Sequence, residues 1–403
     1  MLKENEGVPL YNEALILFIL ASVQFTHIMD FVIMMPMNPI FQEVFSIDNK
    51  KFGILVSAYA ASAGVSGFFT FFFIDRLDRK KALIALYTGF AIGTIGCAVA
   101  QDYYFFLVAR IVSGAFGGVL GALILAIVGD VFPENRRGRA TGVVMASFSV
   151  ASIIGIPLGL YLAVKVDWHF PFYLIAGLSF MIILISLKVF PQIPANVTSG
   201  RIKPFQMLSE VFTNPDRIRA LLFMSVLMLS GFSVIPFISD YMVSNVGFST
   251  DDLKYIYLIG GSFTVVSGPL IGRLADKFGK RKIFIIVACL SIVPILLITN
   301  LPQVSFFIAY FVTTLFFIFF GGRFVPAMSM LTSSVNKSKR GGFMSISNSF
   351  QQLSSALAAF IAGLIIGEKT GETVQNFWMV GIFSVAMTII CILLSFKVKQ
   401  VEE

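Results

Sequence analysis

Charge is scarce in this chain: 13% of its 403 residues are Asp, Glu, Lys or Arg, against 57% hydrophobic. With a mean hydropathy of +0.87, that balance excludes an ordinary soluble domain. Histidine is scarcer still. His27 and His169 stand 142 residues apart, so there is no His pair at metal-ligand spacing. The three cysteines, Cys97, Cys289 and Cys391, all fall inside apolar runs; they read as small buried hydrophobes, with no disulfide framework. No Gly-rich loop ends in Lys followed by Ser or Thr, which argues against nucleotide-driven pumping. No enzyme chemistry, cofactor or metal is expected.

What the chain has is apolar blocks, each long enough to cross a bilayer core as a helix of ~20 residues. The first six run Ala14–Phe41, Phe52–Ile74, Ala82–Ala100, Tyr103–Gly129, Ala140–Val164 and Phe170–Phe190. The second six run Arg219–Val246, Leu253–Ala275, Ile283–Asn300, Val304–Leu331, Gly342–Gly367 and Phe377–Phe396. Helices are the economical reading, because backbone in lipid must satisfy its own hydrogen bonds, and the alternation of a barrel is missing. Too long an apolar run and Glu4 and Glu6 beside Lys3 argue against a signal peptide.

The net charge of +8 does not point to nucleic acid, since the basic residues sit in short loops between apolar blocks. A cytoplasmic N-terminus puts 23 of the 30 Lys and Arg on the inner side and five (Lys50, Lys51, Lys165, Lys254, Lys369) on the outer side; Arg110 and Arg323 lie inside spans. Both termini are therefore expected in the cytoplasm, with the chain in the plasma (inner) membrane.

The chain is organised around Gly272-Arg-Leu-Ala-Asp276-Lys-Phe-Gly279-Lys-Arg-Lys282, a polar hinge between two apolar blocks. A weaker copy, Ile74-Asp75-Arg-Leu-Asp-Arg79-Lys-Lys81, stands 201 residues earlier. The repeat implies two homologous halves, 1–190 and 219–403. They are joined by the one long connection, 191–218, in which Pro204–Thr213 has the pattern of a short amphipathic surface helix or serves only as a tether.

Six plus six spans, a long middle connection and this repeated loop resemble the major facilitator superfamily, in its 12-span drug:proton antiporter and sugar-efflux branch. In the first copy Phe71 and Asp78 replace the motif's two glycines. The resemblance implies an all-α polytopic membrane protein of two pseudo-symmetric six-helix bundles, working as a monomer by alternating access. It also implies that Asp75, Arg79, Asp276 and Lys280 act as a cytoplasmic latch between the halves. Asp130 is expected to face the Arg136-Arg137-Gly-Arg139 loop in a charge network.

Ionisable side chains inside spans are the candidates for transport. Gln24, His27 and Asp30 recur every three residues and share one face of the first span. Arg110, on the fourth span, resembles the family's arginine there. At ~1.5 Å per residue the depths of Asp30 and Arg110 differ by only ~5 Å, so they can pair. Burial favours a neutral carboxyl and a neighbouring guanidinium favours the charged one, so substrate entry can tip a proton on or off such a pair. The alternative is a permanent ion pair holding two helices together. His27 is a second candidate proton site or a packing residue.

Gly155, Pro157 and Gly159 resemble the family's Gly/Pro-rich fifth-span motif and imply a bend. Trp168 reads as an interfacial anchor. Asp240, on span seven, is expected at the outer gate or in solvent. Arg323, on span ten, has no carboxylate at its depth. It binds an anionic group, closes the inner gate, or snorkels to the cytoplasm. Gln24, Met34, Phe223, Asp240, Phe316, Phe320 and Arg323 are expected to line the substrate cavity. The reading as a whole is a secondary transporter moving protons against a small amphiphilic or lipophilic molecule. An uptake symporter or uniporter on the same fold is the alternative, and a membrane-embedded receptor or enzyme is less favoured.

Overall fold

A computed structural model describes residues 12–72, 77–192, 204–336, 339–369 and 373–399. Twelve helical segments within them are long and apolar enough to cross a membrane. In the first half these are α1 (Glu13–Ile33), α3 (Asn49–Thr70), α4 (Arg79–Ala98), α5 (Tyr103–Val131), a composite fifth span and α8 (Phe170–Val189), with a short α2 (Asn38–Phe45) after α1. The fifth span is built from α6 (Glu134–Val150), a π turn over Ala151–Gly155, and α7 (Ile156–Lys165).

In the second half, α9 (Pro204–Thr213) precedes a seventh span that is also composite. It starts with α10 (Pro215–Phe232), passes through a 3-10 turn at Ile235–Phe237 and α11 (Ile238–Tyr241), and ends in a π turn at Met242–Val246. It is followed by α12 (Leu253–Phe278), α13 (Lys280–Thr299), α14 (Phe306–Thr332), α15 (Arg340–Ile366) and α16 (Phe377–Ser395).

Several boundaries differ from the sequence expectation, each for a local reason. The first span ends at Ile33, not Phe41. The residues up to Met37 form turns around Pro36, and Pro39 then starts α2, where its fixed φ and missing N–H are tolerated. The expected Arg136–Arg139 loop is the first turn of α6. The polar hinge shrinks to one residue: α12 runs through Asp276 to Phe278, and Gly279 breaks it at φ +97°, a conformation that glycine adopts without strain. At the matching place in the first half Asp78 does the work differently, its carboxylate accepting from the Lys81 amide to cap α4.

Between Pro191 and Ile218 the amphipathic helix is present, and its apolar side is docked. Met207 and Val211 are buried among Leu221, Phe343 and Ile346 of the second half. Phe205 meets Phe72 of the first half at 5.2 Å between ring centroids. Lys339 and Arg217 both donate to Glu210 and hold its carboxyl below the usual range. Trp168 is not an interfacial anchor. It is buried edge-on against Phe41 and Phe106, with centroids at 5.6 and 5.7 Å.

α3 and α15 lie against each other across the two halves, from Gly53 beside Ala359 and Gly363 to Gly67 beside Ser349. On the face opposite the termini the halves are sealed by further contacts. Asn38 donates to the Pro236 carbonyl at 3.2 Å, Lys165 pairs with Asp251 at 3.4 Å, and Lys254 lies over the Tyr161 ring.

Candidate functional site

The most deeply buried charges of the first half meet at one point. Asp30 and Arg110 are fully buried, and Arg110 Nη1 donates to Asp30 Oδ2 at 2.8 Å and to the Asp30 carbonyl at 3.2 Å. Thr94 on α4 donates to Asp30 Oδ1 at 3.4 Å. The guanidinium carbon sits 4.3 Å from the centre of the Tyr59 ring on α3, close enough for a cation–π contact.

Small residues make this geometry possible. A Cβ on Gly114 would lie 2.4 Å from the Tyr59 carbonyl oxygen, and one on Gly118 would lie 2.4 Å from the Ala63 Cα. α5 can approach α3 only because both are glycine, and that approach brings Arg110 under Tyr59.

Around the ion pair lies a set of buried polar atoms with no hydrogen-bond partner among the described residues. They are Gln24 Oε1, both ring nitrogens of His27, Tyr59 Oη, and Nε and Nη2 of Arg110. Those of Gln24, His27 and Tyr59 lie along the bare side of α5: the Cβ position of Gly117 is 2.6 Å from Tyr59 Oη and 3.0 Å from the His27 ring, and that of Gly121 is 4.0 Å from Gln24 Oε1. Phe31 stacks on Tyr59 at 5.2 Å and meets Phe232 of the second half at 5.8 Å. The site thus has a charged floor, unspent donors and acceptors, and an aromatic side reaching the other bundle. Buried polar groups left unpaired are costly, so such a cluster suits water or a hydrogen-bonding ligand.

The other expected residues are distributed differently. Met34 is buried in the turn after α1. Gly155 and Gly159 accept Met29 and Ile33 of α1, and the π turn ends at Gly155 with Pro157 in the first turn of α7. Phe223 is buried inside the second bundle against Phe284, away from Phe316 and Phe320, which stack on each other at 5.2 Å. Asp240 is not solvated: it is fully buried and accepts from Lys369 Nζ at 2.6 Å, with Ser244 also donating to it. Arg323 does not snorkel. It is 1% exposed, and its partners are the hydroxyls of Ser230, Thr388 and Ser291.

Among the described residues, the pairings seen for Arg79 and Lys280, two of the charges expected to form a latch, lie within their own halves. Arg79 Nε donates to Asp130 at 2.8 Å, joining α4 to α5, where the sequence had assigned Asp130 to the arginines of 136–139. Arg137 donates instead to the Gly129 carbonyl and caps α5. Lys280 donates to Ser333 at the end of α14, and Asp276 is exposed. Asp75 lies outside the described residues.

Sequence reasoning missed Tyr59 and Thr94. The signal for Tyr59 was available in the small-residue spacing of Gly114 and Gly118, which marks the face of α5 that another helix must touch.

Two six-helix halves around buried charges, in twelve apolar spans, define an integral multi-pass membrane transporter. The family model of the Major Facilitator Superfamily matches residues 20–239 and 220–403, and the chain belongs to that family. It is 24% identical over 364 residues to the "Uncharacterized MFS-type transporter YceJ" of Bacillus subtilis, covering 87% of this chain and 91% of that protein. It is also 24% identical over 265 residues to a "Probable sugar efflux transporter" of Helicobacter pylori, covering 65% of this chain and 66% of that protein. Among solved structures it is similar in fold to a bacterial homologue of the lysosomal transporter Spinster in an inward-facing, unoccupied conformation. There the TM-score is 0.78 at 14% identity, covering 95% and 97% of the two chains. The D-xylose–proton symporter is similar as well, with a TM-score of 0.77 at 16% identity over 94% and 97%.

Proposed function

We propose that this transporter is a proton-coupled exporter of a small, hydroxyl-bearing amphiphile. It works as a monomer in the plasma (inner) membrane, with both termini in the cytoplasm and with 1–190 and 219–403 rocking about the connection 191–218. The observation that carries the reading is the fully buried Asp30–Arg110 pair beside unpartnered polar atoms on α1, α3 and α5. A carboxylate in that position is the natural proton carrier, because its charge depends on what the guanidinium beside it is bound to. A cargo hydroxyl that donates to Asp30 favours its ionised form, held by Arg110, and expels the proton, so cargo and proton occupy the site in turn.

The cargo class follows from the same atoms. Gln24 Oε1 is an acceptor, and His27 and Tyr59 Oη each donate or accept. They suit hydroxyls better than a bare hydrocarbon, while Phe31 and Phe232 supply an apolar flank. The export direction is supported by the relative named as a sugar efflux transporter.

The test is proton movement in everted vesicles carrying the wild type or Asp30→Asn, challenged with alkyl glycosides, lipophilic cations and neutral amphiphiles. Glycoside-triggered proton release is expected from the wild type, reduced at least tenfold in Asp30→Asn. Glycoside transport without proton movement would remove the coupling and leave a uniporter. Proton movement in the opposite sense would make it a symporter.

A further inference from the structure

The fourth span of each half carries one buried arginine, but only the first has a counter-charge. Arg110 has Asp30. Arg323, 1% exposed, has three neutral hydroxyls: Nη1 donates to Thr388 at 2.9 Å and to Ser291 at 3.4 Å, and Nη2 donates to Ser230 at 3.1 Å. The 201-residue offset between Asp75 and Asp276 carries Asp30 to position 231, next to Ser230. Ser230 thus stands on α10 about where Asp30 stands on α1, although the same offset carries Arg110 to Phe311 and Arg323 lies twelve residues beyond it.

These hydroxyls spend their own protons on backbone carbonyls. Ser230 and Thr388 can each donate to the Ser384 carbonyl, and Ser291 donates to that of Ala288. Their lone pairs solvate the guanidinium and supply no negative charge. Cys391, a turn beyond Thr388, has its thiol directed at the Phe223 carbonyl at 3.4 Å, so it serves as a donor there and not as a thiolate. No Asp or Glu pairs with Arg323 among the described residues, and its Nε is buried without a partner. An arginine is charged at any physiological pH, and a buried charge left uncompensated is strongly unfavourable.

We infer that Arg323, Ser230, Thr388 and Ser291 form an anion site in the second bundle, taking a small monovalent anion as the missing counter-charge at Nε. That anion is either a free ion such as chloride or the carboxylate of a cargo. The cover over the site is Phe320, whose ring lies 4.6 Å from the guanidinium carbon and against Gly231. Phe320 is itself only half-buried, and it stacks on Phe316.

The site does not depend on proton coupling, so it is tested by itself, on the purified full chain in detergent. Thermal midpoints are measured in sulfate buffer at fixed ionic strength while chloride, acetate or benzoate replaces the divalent sulfate. A saturable rise of several degrees is expected for the wild type and for Asp30→Asn, and none for Arg323→Gln. A rise with chloride and acetate identifies a site for free small anions. A rise with benzoate alone identifies the carboxylate of an apolar cargo. Should Arg323→Gln fail to fold, Arg323→Lys replaces it, with half-saturation at least tenfold higher because a point charge cannot reproduce the planar fork of donors. No saturable rise in the wild type, or the same rise in the Arg323 variant, overturns the assignment. Loss of proton movement in Asp30→Asn with the anion response intact would uphold both readings separately.

Discussion

Replacing Arg110 with Met is expected to lower stability by roughly 3–5 kcal/mol, while replacing Arg110 and Asp30 together, as Met and Asn, returns more than half of that loss. The reason is an asymmetry in burying charge. The intact pair offsets two desolvation costs with one short contact, Arg110 Nη1 to Asp30 Oδ2 at 2.8 Å, in a site where both side chains are 0% exposed. Removing the arginine alone leaves Asp30 with only Thr94, at 3.4 Å, as its side-chain partner. That is the situation in which breaking a buried pair is far more harmful than deleting it. Asp30→Asn alone is expected to cost a comparable amount, because it leaves the permanently charged Arg110 buried with only the backbone carbonyl at position 30 and the Tyr59 ring to compensate it.

The measurement is a double-mutant cycle from denaturant unfolding in one detergent. A coupling below ~0.5 kcal/mol would mean that the two residues act independently, and the proton-carrying reading would lose its basis. The same cycle separates the two roles open to the pair. A purely structural bridge predicts that the stable double variant still moves cargo. A coupling bridge predicts that it folds and no longer links cargo to protons.

How much of this was legible in the sequence depends on the range of each signal. The twelve spans were legible because hydropathy is summed over ~20 residues, so local irregularities average out. The breaks inside them were less so. Pro36 marked a turn that the apolar residues around it concealed; the π turn at Ala151–Gly155 adjoins the Gly155, Pro157 and Gly159 motif read as a bend, whereas the one at Met242–Val246 leaves no compositional trace. The approach of Asp30 to Arg110 could be inferred because two rare charges at matching depth have few other partners.

Hydroxyl partners carry no such rarity. Ser230, Ser291 and Thr388 come from three helices, and nothing in their spacing points to Arg323. Lys369 was likewise assigned to an outer loop. Its reach to Asp240 spans 129 residues and depends on the way the seventh span is broken before Ile238. The latch residues illustrate a different limit. The motif names the participants without their partners, which among the described residues include Asp130 for Arg79 and Ser333 for Lys280.

Alternation between two conformations can be tested at the opposite face. A Cβ on Gly363 would lie 2.8 Å from the Asn49 carbonyl oxygen, and one on Gly53 would lie 2.8 Å from that of Ala359. The obstructing atoms are backbone, so neither helix can yield by turning a side chain; α3 and α15 have to part at that end. Overpacking of this kind costs ~1–3 kcal/mol, enough to change the ratio of two conformations by about 5- to 150-fold. Gly363→Val is therefore expected to stay folded and to shift toward a state opened on the face that is sealed here.

The readout is a membrane-impermeant maleimide acting on Phe237→Cys, in a background without the three native cysteines. Phe237 is buried against Phe52 and Gly53 of the other half, so its labelling reports opening. A rise of at least fivefold in Gly363→Val is expected. No rise is expected in Gly177→Val, where a Cβ meets nothing within 4 Å. Unchanged labelling in Gly363→Val would mean that the contact of α3 with α15 is not what seals this face. The gate would then have to lie in the Asn38–Pro236 and Lys165–Asp251 contacts, which can part while those two helices stay together.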